Sequence, residues 1–134
     1  MGDVANSAIA EHYSEAFINA VSGDKKGALE NFEQALHLNP NFAQAYYNRG
    51  VVLRYLGDKK GALDDYNQAL RLNPKDADAY NNRSDVRYLG DKKGALDDYN
   101  QALRLNPNDD YAYYNRGNVR YELGDKKGAL HSNP

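Results

Sequence analysis

Paired carboxylates and basic, glycine-rich turns are the features of this chain that most resemble chemical machinery. Adjacent aspartates occur at Asp64-Asp65 and again at Asp97-Asp98, where two carboxylates could serve acid–base catalysis. Neighbouring residues on a helix point about 100° apart, so a solvated helix face explains these pairs better. A Gly-Asp-Lys-Lys-Gly turn begins at Gly23, but it lacks the spacing and the Ser or Thr of a phosphate-binding loop.

Metal-ligating and nucleophilic residues are sparse. The histidines His12, His37 and His131 are too dispersed to share a metal, and there is no cysteine for disulfides, thiolate ligands or nucleophilic catalysis. His12 stands at a position where other segments of the chain carry a core aromatic residue, which favours a core histidine. The sequence therefore predicts no enzyme activity, no metal and no cofactor.

Charge and hydropathy narrow the class of partner. The 134 residues include 17 basic and 19 acidic side chains, a net charge of −2, with 41% hydrophobic residues. No excess of positive charge is available to neutralise phosphates, so no nucleic-acid partner is expected. The N-terminus has no signal-peptide pattern, Asn6 replaces the Ser or Thr of a myristoylation signal, and no stretch reaches about 20 apolar residues. We expect a soluble, cytoplasmic protein without membrane insertion.

A repeated heptapeptide sets the organisation of the chain. Gly-Asp-Lys-Lys-Gly-Ala-Leu begins at Gly23, Gly57, Gly90 and Gly124, at intervals of 34, 33 and 34 residues. A period near 34 is typical of helix-turn-helix arrays. Such arrays stack one repeat on the next and present a long exposed groove. The heptapeptide is therefore predicted to be the turn between two helices of each repeat.

The second repeat shows how the turn separates its helices. Apolar and aromatic residues predict a helix over residues 43–56, which Gly57 ends because glycine tolerates the left-handed conformation. Asp58 is a suitable N-cap for a second helix over about residues 59–72. Because the connection is short, the two helices must be antiparallel neighbours.

The same core positions recur in every repeat. The second repeat reads Tyr46-x2-Arg49-Gly50, then Ala62-x3-Tyr66, then Pro74. The corresponding residues elsewhere are His12, Ala28, Phe32 and Pro40; Tyr80, Arg83, Ser84, Ala95, Tyr99 and Pro107; and Tyr113, Arg116, Gly117, Ala129 and the terminal Pro134. This pattern resembles the tetratricopeptide repeat, whose signature is Trp-x2-Leu-Gly-x2-Tyr, Ala-x3-Phe and Pro, and in particular its bacterial members with near-identical repeats.

The resemblance implies an all-α fold, a right-handed superhelical solenoid of antiparallel helix pairs. Three hairpins and a C-terminal capping helix would form a single domain over residues 1–134, with repeats at about 9–42, 43–76 and 77–109 and a partial repeat at 110–134. The resemblance also implies a non-catalytic scaffold for protein–protein interaction, with another protein or an extended peptide bound along the concave groove.

In this family the first helix of each hairpin lines the groove, which assigns the candidate binding residues by position. They are Tyr13, Phe17, Tyr47, Asn48, Val51, Tyr55, Asn81, Asn82, Asp85, Tyr88, Tyr114, Asn115, Asn118 and Tyr121. Asn48, Asn82 and Asn115 are equivalent and should form a ladder of amides, which can both donate to and accept from a peptide backbone. The alternative is that these asparagines bind local backbone or face water.

Arginine replaces leucine at one position of the family pattern. Arg49, Arg83 and Arg116 stand where a buried leucine is usual, so each needs a partner or access to water. We hypothesise that each lies on a tyrosine and reaches an aspartate of the Asp-Asp pairs. A surface arginine extending to solvent is an equal alternative.

The C-terminal end leaves a second function open. The fourth repeat stops before a second helix, so Val119 and Leu123 are expected on an uncovered face. Solenoids with uncovered ends tend to acquire a neighbour, either a homo-oligomer stacked head-to-tail or the rest of a longer parent protein. An RNA-binding helical-repeat protein is disfavoured by the charge balance and by the 34-residue period.

The 33-residue interval requires a missing residue in the third repeat. Comparison with the fourth repeat favours loss of the counterpart of Glu122, just before the turn, so the helix ending near Leu89 should be shortened or distorted. The rival alignment places the gap near Ser84-Asp85.

Overall fold

The computed structural model of the chain describes residues 2–125, with side chains from Val4 onward. These residues contain seven helices and no strand: α1 (Gly2–Ser22), α2 (Lys25–Leu38), α3 (Ala43–Tyr55), α4 (Lys59–Leu72), α5 (Ala77–Arg87), α6 (Lys92–Leu105) and α7 (Asp110–Glu122). The all-α prediction is confirmed, and the predicted bounds of α4 match. Expectations that involve Ala129, His131 and Pro134 concern residues outside the described range.

The heptapeptide turn of the second repeat is built as the sequence predicted. Gly57 has a φ of 84°, the left-handed conformation that only glycine adopts without strain. The Asp58 side chain accepts a hydrogen bond from the backbone N–H of Gly61 at 2.9 Å, which confirms it as the N-cap of α4. The second glycine of the heptapeptide is explained by the same cap, because a Cβ on Gly61 would lie only 2.5 Å from the Asp58 carboxylate.

The third repeat differs at the end of its first helix. Helix α5 has 11 residues, whereas α3 has 13. In the second repeat the backbone N–H of Asp58 donates to the carbonyl of Leu53, five residues back, whereas that of Asp91 donates to Arg87, four residues back. The missing residue therefore tightens the turn and shortens the helix.

The burial pattern shows where the residue is missing. Val86 is buried, like Val52 thirty-four residues earlier and Val119 thirty-three residues later. The register of α5 is thus intact through Val86, and the rearrangement lies beyond it. This confirms the gap near the turn rather than the rival position.

The chain divides into two compact units, one up to Pro74 and one from Lys75 onward, called here the N-terminal and C-terminal units. In the N-terminal unit, α2 packs on both α1 and α3, and α4 packs on α3. Its core cluster comprises Ala16, Ala28, Phe32, Leu36, Ala45 and Val52. None of its described helices, nor any in the C-terminal unit, is long and apolar enough to cross a membrane.

In the C-terminal unit, α6 packs on both α5 and α7. Its core cluster comprises Tyr99, Leu103, Ala112 and Val119. Val119 is therefore fully buried, and the expectation that it lies on an uncovered face is wrong. Leu123 remains 42% exposed.

Small residues allow the helices of a hairpin to approach closely. A Cβ on Gly50 would lie 2.8 Å from the Tyr66 ring, closer than van der Waals contact allows. In the third repeat Ser84 takes the place of Gly50 and is fully buried. Its hydroxyl donates to the carbonyl of Ala95 at 2.6 Å, so the serine joins α5 to α6 by a hydrogen bond.

Candidate functional site

Exposed aromatic side chains occur on one class of helix, the first helix of a hairpin. Among the described residues they all lie on the first helix of a hairpin, α1, α3 or α7: Phe17, Tyr55, Tyr111, Tyr114 and Tyr121. The second helices α2, α4 and α6 bury their aromatics, Phe32, Tyr66 and Tyr99, almost completely. The first helices therefore carry aromatic surface that the core does not use.

In the N-terminal unit, Tyr13 and Asn48 join α1 to α3. The Asn48 amide donates to the Tyr13 hydroxyl at 2.8 Å, and the Tyr13 ring lies 4.7 Å from that of Phe42 between centroids. Burial raises the pKa of Tyr13 above its ordinary value, and the bond from Asn48 partly offsets this. These two predicted site residues are brought together, with one N–H of the amide already used.

The other predicted residues of this unit surround that pair. Phe17 is 52% exposed and Tyr55 is 76% exposed, whereas Val51 is half-buried. The Tyr47 ring packs 6.0 Å from that of Tyr66. The face thus combines open aromatic surface with one partly anchored amide.

In the C-terminal unit, the equivalent asparagines contact their own helices. Asn82 donates to the carbonyl of Asp78 at 2.9 Å, and Asn115 donates to that of Tyr111 at 2.9 Å. Each amide thereby uses one donor on local backbone, as the alternative to the ladder expects. An amide has a second donor and an acceptor oxygen, so this contact alone does not exhaust the capacity of Asn115. Asn118, Tyr114 and Tyr121 are exposed on α7.

Two predicted site residues are instead engaged inside the unit. Asn81 is only 7% exposed, and its amide donates to Asp109, the N-cap of α7, at 2.7 Å. Asp85 accepts hydrogen bonds from the hydroxyls of Tyr99 and, at 2.6 Å, of Tyr111. The pKa of Tyr99 lies well above its ordinary value, mainly because the phenol is buried and also because it donates to Asp85. The sequence analysis did not identify Asp109 as an N-cap. A recurring pattern could have shown it, because Asp76 and Asp109 each accept a hydrogen bond from an alanine three residues later.

Tyr88 belongs to a charged cluster at the corner between α5, α6 and α7. Its hydroxyl donates to Glu122, which raises the pKa of Tyr88 above its ordinary value. The ammonium of Lys92 lies 3.7 Å from the Glu122 carboxylate and 5.4 Å from the centre of the Tyr88 ring. The carboxylate, the ammonium group and the phenol at this corner are therefore all paired with one another.

Two of the three arginines, Arg49 and Arg83, lie on tyrosines and reach aspartates, as the first hypothesis states. Arg49 stands 5.7 Å from the centre of the Tyr46 ring and binds Asp65 through two nitrogens at 2.7 and 2.8 Å. The third repeat repeats this arrangement, with the Arg83 guanidinium over Tyr80 at 5.6 Å and bonded to Asp98 at 2.9 and 2.6 Å. Both carboxylates are buried, and Arg87 adds a further bond to Asp98 at 3.0 Å.

Arg116 has the tyrosine without the aspartate. It lies 5.2 Å from the centre of the Tyr113 ring and donates to the Asn100 amide oxygen at 3.1 Å. Its Nε is buried without a hydrogen-bond partner in the described part of the chain. Burial lowers the pKa of Arg116, the nearby Arg120 adds to the effect, and the Tyr113 ring partly opposes it. The residue that corresponds in sequence to Asp65 is Ser132.

The described residues include no group of side chains that could hold a metal ion. His12 is half-buried, and its Nδ1 lies 3.4 Å from the Asn31 amide oxygen. The contact joins α1 to α2.

Comparison with known proteins identifies the repeat. A model described as "Tetratricopeptide repeat" matches residues 43–76, and a second, described as "TPR repeat", matches residues 22–57 and 84–124. Over 43 residues the chain is 49% identical to the photosystem I assembly protein Ycf3 of Acaryochloris marina (strain MBIC 11017). The aligned segment makes up 32% of this chain and 26% of that protein. The chain thus spans about a quarter of this curated relative.

Solved structures with the same fold include two whose descriptions mention a bound peptide or a peptide-binding site. The MamA protein matches with a TM-score of 0.89 and 22% identity over 98% of this chain and 70% of its own. YrrB, described as having an unusual peptide-binding site, matches with a TM-score of 0.82 and 26% identity over 95% and 66%. The first repeat domain of Spaghetti (RPAP3), solved with an HSP90 peptide, matches with a TM-score of 0.84 and 22% identity over 88% and 94%.

Proposed function

The chain belongs to the tetratricopeptide repeat family, and on that basis we propose that it is a non-catalytic scaffold that binds an extended segment of another protein. Tetratricopeptide repeats are protein-interaction modules. Within each unit the expected binding face is that of the first helices, α1 and α3 in the N-terminal unit and α5 and α7 in the C-terminal unit.

One observation carries this proposal: the described residues expose aromatic side chains only on first helices of hairpins. Tyrosine and phenylalanine give large contact area at a low cost in side-chain entropy, which suits recognition surfaces. If the exposed aromatics were incidental, they would also occur on α2, α4 and α6. Their restriction to one class of helix supports a face kept for a partner.

The amides on these faces suit a peptide backbone. Asn48, Asn82 and Asn115 each have at least one N–H engaged within the protein, which fixes the orientation of the amide. A fixed amide loses less entropy on binding than a free one. The described peptide-binding site of YrrB and the peptide complex of Spaghetti (RPAP3) give this use of the fold a precedent.

Charge further limits the partner. The net charge is −2, and the charged residue among the predicted face residues of the C-terminal unit is the acidic Asp85. Such a surface does not supply the cluster of cations that nucleic-acid backbones require. We therefore propose a protein or peptide partner, and no nucleic acid.

Peptide selection tests the proposal. Random 12-residue peptides displayed on phage would be selected on the whole chain, and their affinity measured for Asn48→Ala and Asn82→Ala, singly and together. Each substitution should weaken binding by roughly three- to tenfold, the range of one hydrogen bond, with unchanged helicity. Gln34→Ala, on the exposed side of α2, is the control. Failure to select any peptide, or equal loss in the control, contradicts the proposal.

A second candidate function, head-to-tail assembly, is favoured by Arg116. Its buried Nε lacks a partner among the described residues, whereas Arg49 and Arg83 each bind a carboxylate from the following helix. A helix from a second copy could supply that carboxylate. Helix α1 carries Glu11 beside a shallow concavity lined by Val4, Ser7 and Ala8, and has no Lys or Arg.

Light scattering over a concentration series tests this assembly. If it occurs, the average mass rises with concentration, and both Arg116→Gln and Glu11→Gln reduce the rise. Arg104→Gln, on the exposed side of α6, should leave it unchanged. A constant monomer mass excludes assembly in solution.

A further inference from the structure

A cavity opens between α1 and α3 of the N-terminal unit. It is lined by Phe17, Ala20, Val21, Lys25, Phe32, Asn48, Val51, Val52 and Tyr55, and its volume is about 190 Å³. An apolar protein cavity of about 150 Å³ holds a benzene molecule. The cavity is therefore large enough for one aromatic or long aliphatic side chain.

Its rim combines apolar surface with a single cation. Val21 and Tyr55 are 75% and 76% exposed, so both leave apolar surface in water, where its burial by a partner would be favourable. Lys25, at the start of α2, is the only charged residue of the lining. No carboxylate of the described residues pairs with its ammonium group.

The C-terminal unit shows what an equivalent corner looks like when it is filled. Lys92 follows the turn glycine by two residues, as Lys25 does in the first repeat. The residues two before the turn glycines are Tyr88 and Glu122 there. They supply the aromatic ring and carboxylate that surround the Lys92 ammonium.

In the N-terminal unit the same two positions hold Val21 and Tyr55. Tyr55 thus stands where Glu122 supplies the carboxylate. In the helix register that holds through Val86, the counterpart of Tyr88 in α1 is Ala20, which also lines the cavity, so no ring occupies that position. The corner keeps its cation, gains apolar lining, and has no acid among the residues that line the cavity.

We propose that this cavity is an anchor site for a bulky apolar side chain that has a carboxylate beside it, the carboxylate pairing with Lys25. The inference rests on the proposed peptide-binding function and names the class of segment bound. Such a segment contains an aromatic or large aliphatic residue next to Asp or Glu.

A small probe tests the site without a known partner. 3-Phenylpropionate carries both groups, whereas 3-phenylpropanamide keeps the ring without the charge. In NMR titrations of the whole chain, 3-phenylpropionate should shift the signals of Phe17, Val21 and Val51. The amide should bind roughly three- to fivefold more weakly, the ratio of a partly exposed ion pair.

Two lysine variants test whether Lys25 is the cation that binds the carboxylate of the probe. Lys25→Met keeps most of the apolar stem, and it should bind acid and amide probes equally. Lys59→Met, the equivalent substitution at the exposed start of α4, should retain the preference for the acid. Equal binding of both probes to the unmodified chain, or shifts away from the cavity, overturns the inference.

The selected peptides separate this inference from the proposed function. If they bind and depend on Asn48 but show no apolar–acidic pair and no effect of Lys25→Met, the anchor site is excluded and the function stands. If no peptide is selected but 3-phenylpropionate binds the cavity through Lys25, the anchor site stands and the function fails.

Discussion

At the scale of single residues, buried charge is concentrated in the Arg-Asp pairs between the two helices of a hairpin. Asp65 and Asp98 are 4% and 2% exposed, and each holds a guanidinium through two bonds. Two parallel bonds fix the geometry of a hairpin more tightly than one. Removing a carboxylate would leave a cation partly buried and unpaired, which is costly.

Substituting the buried aspartate should therefore destabilise its hairpin. Asp65→Ala should lower the free energy of unfolding by about 3–5 kcal/mol, measured by urea denaturation. Asp64→Ala, the exposed neighbour, should change it by less than about 0.5 kcal/mol. A double-mutant cycle of Arg49→Ala with Asp65→Ala should give strong coupling, and zero coupling would show that the pair contributes nothing.

Tyr99 makes stability depend on alkaline pH. Its pKa is raised in the folded state by burial and by Asp85, so the stabilisation is complete below the unfolded pKa of about 10 and falls as the pH rises beyond it. The urea midpoint should therefore fall progressively as the pH rises above about 10. Tyr99→Phe should show a smaller drop, and the exposed Tyr114→Phe should behave like the unmodified chain. Equal drops in all three would contradict this role.

At the scale of helices, the repeated turn made much of the fold predictable. Gly57 and Asp58 fix where α3 ends and α4 begins, because a left-handed residue and a side-chain cap are local requirements. The shortening of α5 also followed from counting residues. The engagement of Asn81 and Asp85 could not be predicted, since it depends on which way side chains turn between packed helices. The position within a repeat assigns a residue to a face, but not to a partner.

Two turn glycines provide a matched test of this account. Gly57→Ala places a side chain in the left-handed conformation and should cost about 1–2 kcal/mol. Gly90 has no positive φ, and an added Cβ meets nothing within 4 Å. Gly90→Ala should therefore be neutral or stabilising by up to about 1 kcal/mol. Thermal unfolding that ranks the two variants in the opposite order would refute the turn assignment.

At the scale of the whole molecule, core and binding surface are divided between two classes of helix. Second helices supply the buried aromatics Phe32, Tyr66 and Tyr99, while first helices expose Phe17, Tyr55 and Tyr114. The family pattern assigned the candidate face from sequence, but not the unpaired Lys25 or the cavity beside it. The unpaired lysine and the cavity arise because two positions at this corner carry different residues in different repeats. Their effect becomes visible only when the repeats are compared in three dimensions.

The most direct test of the central claim is an NMR titration of the ¹⁵N-labelled chain with a peptide selected from a random library. The account predicts that shift changes on binding concentrate on α1, α3, α5 and α7, and that Tyr55→Ser and Tyr114→Ser weaken binding. Shift changes concentrated on α2, α4 and α6, with full affinity retained by both variants, would contradict it.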